Sequence, residues 1–293
     1  MSKQVERLQE SEKGTKISIA VYILMAGLKL AVGFFFNASS LIADGLNNFG
    51  DVISSVAMLI GMRTSRIPPD ENHPYGHWKA ESIASLLTSF IMILLGMQVL
   101  IDAIGNILNG ELTISNPLAA SVGLISATVM WGVYRYNLNL SRKTHSKGLK
   151  AVAKDNLADA LTSLGTSVAI FAATFSLWWV DYVMAIIVGL IILKTGIEIA
   201  SENVFSLSDG FDQELLAQYH SSIIKIEDIQ QIVSLKARMY GNNIYVDITI
   251  VVNGEMSVQT SHDLTEEVEE LLFKQFDVMH TDVHVEPLSM HKI

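Results

Sequence analysis

Apolar residues gather into six long runs separated by short polar segments: about Ile17–Phe36, Leu41–Met62, Ser82–Ile104, Pro117–Tyr134, Val152–Leu177 and Tyr182–Ala200. Each is close to the ~20 residues that an α-helix needs to cross the hydrocarbon core of a bilayer. The first run follows a polar, mixed-charge segment and lacks a small-residue cleavage pattern, which argues against a signal peptide. The pattern predicts a polar N-terminal segment at 1–16 and a six-helix transmembrane domain at 17–204.

After Glu202 the period changes. Leu215 to Ile224 reads as an amphipathic helix. Ile232–Met239 and Ile244–Val252 read as strands joined around Gly241-Asn242-Asn243, a hairpin signal. In the second strand Ile244, Val246, Ile248, Ile250 and Val252 share one face. Ser261 to Phe276 reads as a helix with Ser261 as its N-cap and Leu264, Val268, Leu271 and Leu272 as its apolar stripe. Val278–Val285 completes an αββαβ order. The expected fold is therefore an α-helical membrane protein with six spans plus a C-terminal cytoplasmic α+β domain at 205–293, of ferredoxin-like or metallochaperone-like build.

Composition and charge agree. Half of the 293 residues are hydrophobic and 17% are charged, with mean hydropathy +0.36, outside the usual soluble range. Lys and Arg are missing from the segments around 37–40, 105–116 and 178–181. They cluster instead at Lys3, Arg7, Lys13 and Lys16, at Arg63, Arg66 and Lys79, and at Arg135, Arg142, Lys143, Lys147 and Lys150. The positive-inside rule then puts both termini in the cytoplasm of a multi-pass cell-membrane protein. Residues 205–293 hold fifteen acidic and five basic residues, so the whole net charge of −10 lies there. Such a tail disfavours nucleic acid and anionic lipid headgroups as partners and attracts cations. With no cysteine in the chain, disulfides and thiolate metal sites are excluded.

Polar residues inside the spans carry the candidate chemistry. Asp44, Asn47, Asn48 and Asp51 form one stripe on the second span, at i, i+3, i+4 and i+7. Asp155 and Asp159 are spaced i, i+4 on the fifth, with Thr162, Ser163 and Thr166 continuing that side. A carboxylate at mid-bilayer costs roughly 2.5–3.5 kcal/mol on insertion scales, so such residues mark cation or proton paths. Serine and threonine there also serve as interhelical glue. Facing one another, the two stripes offer an oxygen-rich cage for a divalent cation.

The loop after the second span reads Pro68-Pro69-Asp70-Glu71-Asn72-His73-Pro74-Tyr75-Gly76-His77-Trp78-Lys79-Ala80-Glu81-Ser82. Its Asp-x-x-His-x-x-x-His pattern followed by Lys-Ala-Glu-Ser resembles the cation diffusion facilitator family, over essentially the whole chain. The resemblance implies a homodimer that exports divalent transition metals from the cytoplasm in exchange for protons by alternating access. It maps a transport site onto Asn47, Asp51, Asp155 and Asp159, and an ungapped match through the histidine loop leaves Asp44 and Asn48 on the access path. It maps a loop site onto Asp70, His73 and His77. In the tail it maps a site onto Asp247, His262, His284 and Glu286. Asp247 stands where zinc-exporting members often have histidine, and another histidine position is the apolar Val233, so the resemblance implies one weaker tail site in place of the two-metal site of the zinc exporters. His280 and His291 read as surface residues. A dimer hinge salt bridge maps onto Lys79 and Asp209.

No histidine falls in the transport quartet. Carboxylate, amide and water oxygens suit Mn²⁺, whereas imidazole suits Zn²⁺. The quartet resembles that of bacterial manganese exporters, so the expected cargo is Mn²⁺, then Fe²⁺, then Zn²⁺. Entering metal must displace protons from the carboxylates, and returning protons must weaken metal binding, which couples the two fluxes. The tail is then a metal sensor or a permanent dimerisation module. Two other classes compete: a passive divalent-cation channel, and a membrane metalloenzyme built on the loop cluster. No nucleophile constellation or metal-hydrolase motif supports an enzyme.

Overall fold

The computed structural model describes residues 3–35, 39–109, 117–173, 175, 177 and 179–288; within the helices, the side chains of several residues, Asp44 and Asn47 among them, fall outside that description, as does His291. The chain divides into two compact units, 1–203 and 204–293.

Among the described residues the first unit has six helices: α1 Lys3–Phe35, α2 Ser39–Thr64, α3 Lys79–Asn109, α4 Pro117–Thr144, α5 Lys147–Ala173 and α6 Trp179–Leu207. The shortest has 26 residues, about 39 Å at 1.5 Å per residue, enough to cross a bilayer. The most continuously apolar are α1, α3 and α6. Buried polar residues of the other three include Asn48, Asp51, Ser126, Asn137, Asp155, Asn156, Asp159 and Ser163. Helices α1, α2, α4 and α5 pack against one another, and α3 packs on α2 and α5. At Gly96 α3 meets α6 closely: a Cβ there would lie 2.8 Å from the backbone nitrogen of Leu193.

Helix α1 begins at Lys3, so the polar segment expected before the first span is a continuation of its helix. The reason is visible in its packing. Glu12 is buried and pairs with Arg66, with Lys16 at 3.0 Å and with Arg63 at 3.6 Å. The Ser11 hydroxyl donates to Thr144 Oγ1 at 2.8 Å. These contacts hold the extension against the ends of α2 and α4. Glu81, also buried, accepts from the Ser146 hydroxyl and from the Gly148 N–H, tying the start of α3 to the N-terminus of α5, where a helix favours negative charge.

The second unit runs α7 Gln213–Ile223, β1 Gln231–Tyr240, β2 Asn243–Val252, α8 Val258–Phe276 and β3 His280–Pro287. Strand β2 is central, antiparallel to β1 and parallel to β3, with α8 as the crossover. Only two residues join β1 to β2, with Gly241 at φ 61°, as a two-residue hairpin requires at its first central position. Val246, Ile248, Ile250 and Val252 bury one sheet face against Leu264, Val268 and Leu272 of α8 and Tyr219 and Ile223 of α7. Helix α8 starts one turn earlier than the sequence suggested. Ser257 is its N-cap, accepting from the Thr260 N–H at 3.1 Å, and Ser261 lies inside the first turn.

Candidate metal centre

Spacing of four on α5 puts Asp155 and Asp159 on one face, and α2 brings Asp51 opposite them. One carboxylate oxygen from each lies within 4.8 Å of the others. All three are buried, at 2%, 6% and 8% exposure respectively. Ionised carboxylates this close repel one another, and either a divalent cation or protons relieve that repulsion. An oxygen donor set of this kind suits a hard or borderline cation.

Two polar arms reach the cluster from α1. In the first, Lys29 is 1% exposed and donates to Asn48 Oδ1 at 2.9 Å and Ser163 Oγ at 3.3 Å. Asn48 Nδ2 in turn donates to Asp51 Oδ2 at 3.0 Å. In the second, the Tyr22 hydroxyl donates to Asp155 Oδ2 at 3.2 Å and accepts from Asn156 Nδ2 at 2.8 Å. Asn156 Oδ1 accepts from Ser18 at 2.9 Å and from Asn137 Nδ2 at 2.9 Å. Tyr22 and Lys29 are two turns apart, so one face of α1 supports both ligand helices. Sequence reading missed Tyr22, Lys29 and Asn137, although a lysine within an apolar span was a usable signal. Tyr22 and Asn137 carried none, because each looks like an ordinary interfacial or helix-contact residue.

The loop cluster also assembles. His73 Nδ1 lies 3.1 Å from Asp70 Oδ1, His77 Nε2 lies 3.6 Å from Asp70 Oδ2, and the two rings are 4.2 Å apart. Asp70 Oδ1 accepts the His73 N–H at 2.7 Å and the Asn72 N–H at 3.0 Å. Chiefly the His73 backbone hydrogen bond holds the Asp70 carboxyl below its ordinary pKa. Asp70 and His73 are exposed and His77 is half-buried. This is an open surface site, unlike the buried one.

The four tail residues do not come together within one chain among the described residues. Asp247 pairs with Arg238 at 3.2 Å, His262 lies 3.5 Å from Glu266, and His284 lies 3.6 Å from Glu286. The reason lies in the layering. Asp247, His284 and Glu286 have the parity of the sheet face turned away from α8, whereas His262 is an exposed position on α8 itself. At the proposed hinge, Lys79 opens α3 and Asp209 follows α6 with φ 60°.

Comparison with known proteins accounts for both units. Residues 15–208 match the cation efflux transmembrane domain and residues 211–288 match the cation efflux protein cytoplasmic domain. The manganese efflux system protein MneS of Bacillus subtilis is 42% identical over 97% of this chain and 98% of its own length. The same organism's uncharacterized transporter YdbO is 40% identical over the same shares. Its manganese efflux system protein MneP is 30% identical over 96% of this chain and 98% of its own. The chain therefore belongs to the cation diffusion facilitator, or cation efflux, family and is a membrane transporter of divalent metal cations rather than an enzyme.

Proposed function

We propose that this protein exports Mn²⁺ from the cytoplasm in exchange for protons, as a homodimer that alternates access to a site formed by Asn47, Asp51, Asp155 and Asp159. The single observation that carries the reading is the buried Asp51–Asp155–Asp159 cluster, all oxygen and without histidine. Mn²⁺ accepts such donors readily, and Zn²⁺ gains less from them than from imidazole. Two of the relatives being manganese efflux proteins agrees with this choice.

Asp51, Asp155 and Asp159 are metal ligands that also carry protons on the return step, and Asn47 adds a neutral oxygen. Metal and protons compete for the same oxygens, so each flux drives the other. Both termini face the cytoplasm, the side on which the basic loops gather. The Asp70–His73–His77 loop then lies on the same side and meets the ion first. Lys79 and Asp209 form the hinge pair of the dimer. In the tail, Asp247, His262, His284 and Glu286 bind metal between subunits.

Transport into inverted membrane vesicles tests the reading, with Mn²⁺, Fe²⁺ and Zn²⁺ in competition under an imposed pH gradient. Proton-driven accumulation of Mn²⁺ above the other two is expected. Accumulation indifferent to the pH gradient would establish a passive channel instead. Preference for Zn²⁺ would overturn the assignment of cargo.

A further inference from the structure

Asn137 is fully buried on α4, a helix that carries none of the proposed ligands. Its Nδ2 donates both to Ser18 Oγ at 2.7 Å and to Asn156 Oδ1 at 2.9 Å. Ser18 donates to the same Asn156 oxygen at 2.9 Å. Asn156 Nδ2 then donates to the Tyr22 hydroxyl at 2.8 Å, and that hydroxyl donates to Asp155 Oδ2 at 3.2 Å, with Asp159 beside it. From α4 to α5, the donors point toward the carboxylates, and hydrogen bonds aligned in this way polarise one another.

The far end of the chain fixes that polarity. Asn137 Oδ1 has no hydrogen-bond partner among the described residues. It shares a corner with Gly14, Leu140 and Leu149: a Cβ at Gly14 would lie 2.6 Å from that oxygen, 2.8 Å from Leu149 and 3.3 Å from Leu140. The opposite polarity needs both amides turned over. Asn156 Oδ1 would then accept the Tyr22 proton, Asp155 would lose its donor, and Asn137 Nδ2 would face the apolar corner. Buried orphan N–H groups are rarer than under-satisfied carbonyls. Turning Asn156 alone would set its Nδ2 against Asn137 Nδ2, donor on donor. The oxygen therefore belongs at the apolar end and the donors at the site end.

We propose that Asn137 is a positioning residue for transport. It holds Asn156 Oδ1, so that Asn156 turns its Nδ2 to Tyr22 and the hydroxyl proton of Tyr22 is committed to Asp155. A helix without ligands thereby orients a ligand carboxylate on α5. The inference rests on Asp155 being a transport ligand.

The test uses full-length protein in inverted vesicles, with Mn²⁺ uptake driven by a pH gradient. Asn137→Leu, similar in size and without a donor, should raise the Mn²⁺ KM by on the order of ten-fold, because Asn156 is then free to turn over and take the Tyr22 proton. Adding Asn156→Leu removes that competing acceptor and should bring the KM back toward wild type. In a Tyr22→Phe background, Asn137→Leu should add nothing to the KM. Should Asn137→Leu not reach the membrane, Gly14→Ala, which drives a methyl against Asn137 Oδ1, should give the same rise and the same recovery with Asn156→Leu. An unchanged KM, a rise that Asn156→Leu leaves in place, or a rise that adds to that of Tyr22→Phe would each show an amide with a packing role only and overturn the inference. Asp155→Ala separates the premises: if it transports Mn²⁺ normally, the site assignment itself fails. If it is inactive and any of those three results is found, only the role of Asn137 fails.

Discussion

Replacing Tyr22 with phenylalanine removes one oxygen from the centre of the second polar arm. That hydroxyl is fully buried, donates to Asp155 at 3.2 Å and accepts from Asn156 at 2.8 Å. Two hydrogen bonds are lost, one of them to a carboxylate, and the Asn156 donor loses its acceptor. Each neutral bond is worth about 0.5–1.5 kcal/mol net and one to a charged group about 1.5–3. A stability loss of roughly 2–4 kcal/mol follows. The larger consequence falls on the site, because Asp155 loses the group that fixes its rotamer. Supporting groups of this kind typically change metal affinity by about 10–100-fold. The expected outcome is a Mn²⁺ KM raised by on the order of ten-fold or more in the protein that reaches the membrane. Vesicle uptake measured across Mn²⁺ concentrations, normalised to protein by immunoblot, reads this directly. An unchanged KM in a folded Tyr22→Phe protein would refute the idea that α1 orients Asp155.

Other expectations follow from the same geometry. Asp51→Ala and Asp159→Ala should each reduce Mn²⁺ uptake to the level of empty vesicles, and normal transport by either would remove that residue from the ligand set. Glu81→Ala should lower thermal stability by roughly 2–4 kcal/mol, since it strips the N-terminus of α5 of an acceptor for Ser146 and Gly148; an unchanged melting point in detergent would count against this. The Asp70 carboxyl is held below its ordinary pKa. Its contribution to the loop is therefore complete above the usual aspartate value of about 3.9 and is lost as pH falls through the lowered one. Amide exchange at residues 70–77 should stay slow down to that range, and early loosening on acidification would contradict the turn. Burial raises the Tyr219 hydroxyl to about 12. The stability that this supplies is present below pH 10 and lost as pH rises through 12, and Tyr219→Phe should abolish that alkaline loss. Hydrogen exchange of the tail in the full-length protein would show it.

Much of this protein was legible without coordinates. Six apolar runs of spanning length and the change to alternation after Glu202 come from backbone hydrogen bonding and from the periods of helix and strand, both local. The i, i+4 spacing of Asp155 and Asp159 was enough to place them on one face, because helix geometry is the same wherever a helix forms. The absence of histidine from the transport quartet likewise needed only the residues. Smaller local readings failed where alternatives were close in energy. Ser257 and Ser261 are both acceptable caps, and packing of Leu264, Val268 and Leu272 on the sheet decides where α8 begins.

Tertiary structure decided what meets what. That Asp51 closes on the α5 pair, that Tyr22 and Lys29 of α1 reach both ligand helices, and that Glu12 and Glu81 pin helix ends are facts of which helix lies beside which. Those contacts join residues from 19 to more than 130 positions apart. It also separated His262 from Asp247, His284 and Glu286, which the family resemblance grouped as one site, by placing them on different layers. Periodicity records which face a side chain takes, and packing determines which faces meet.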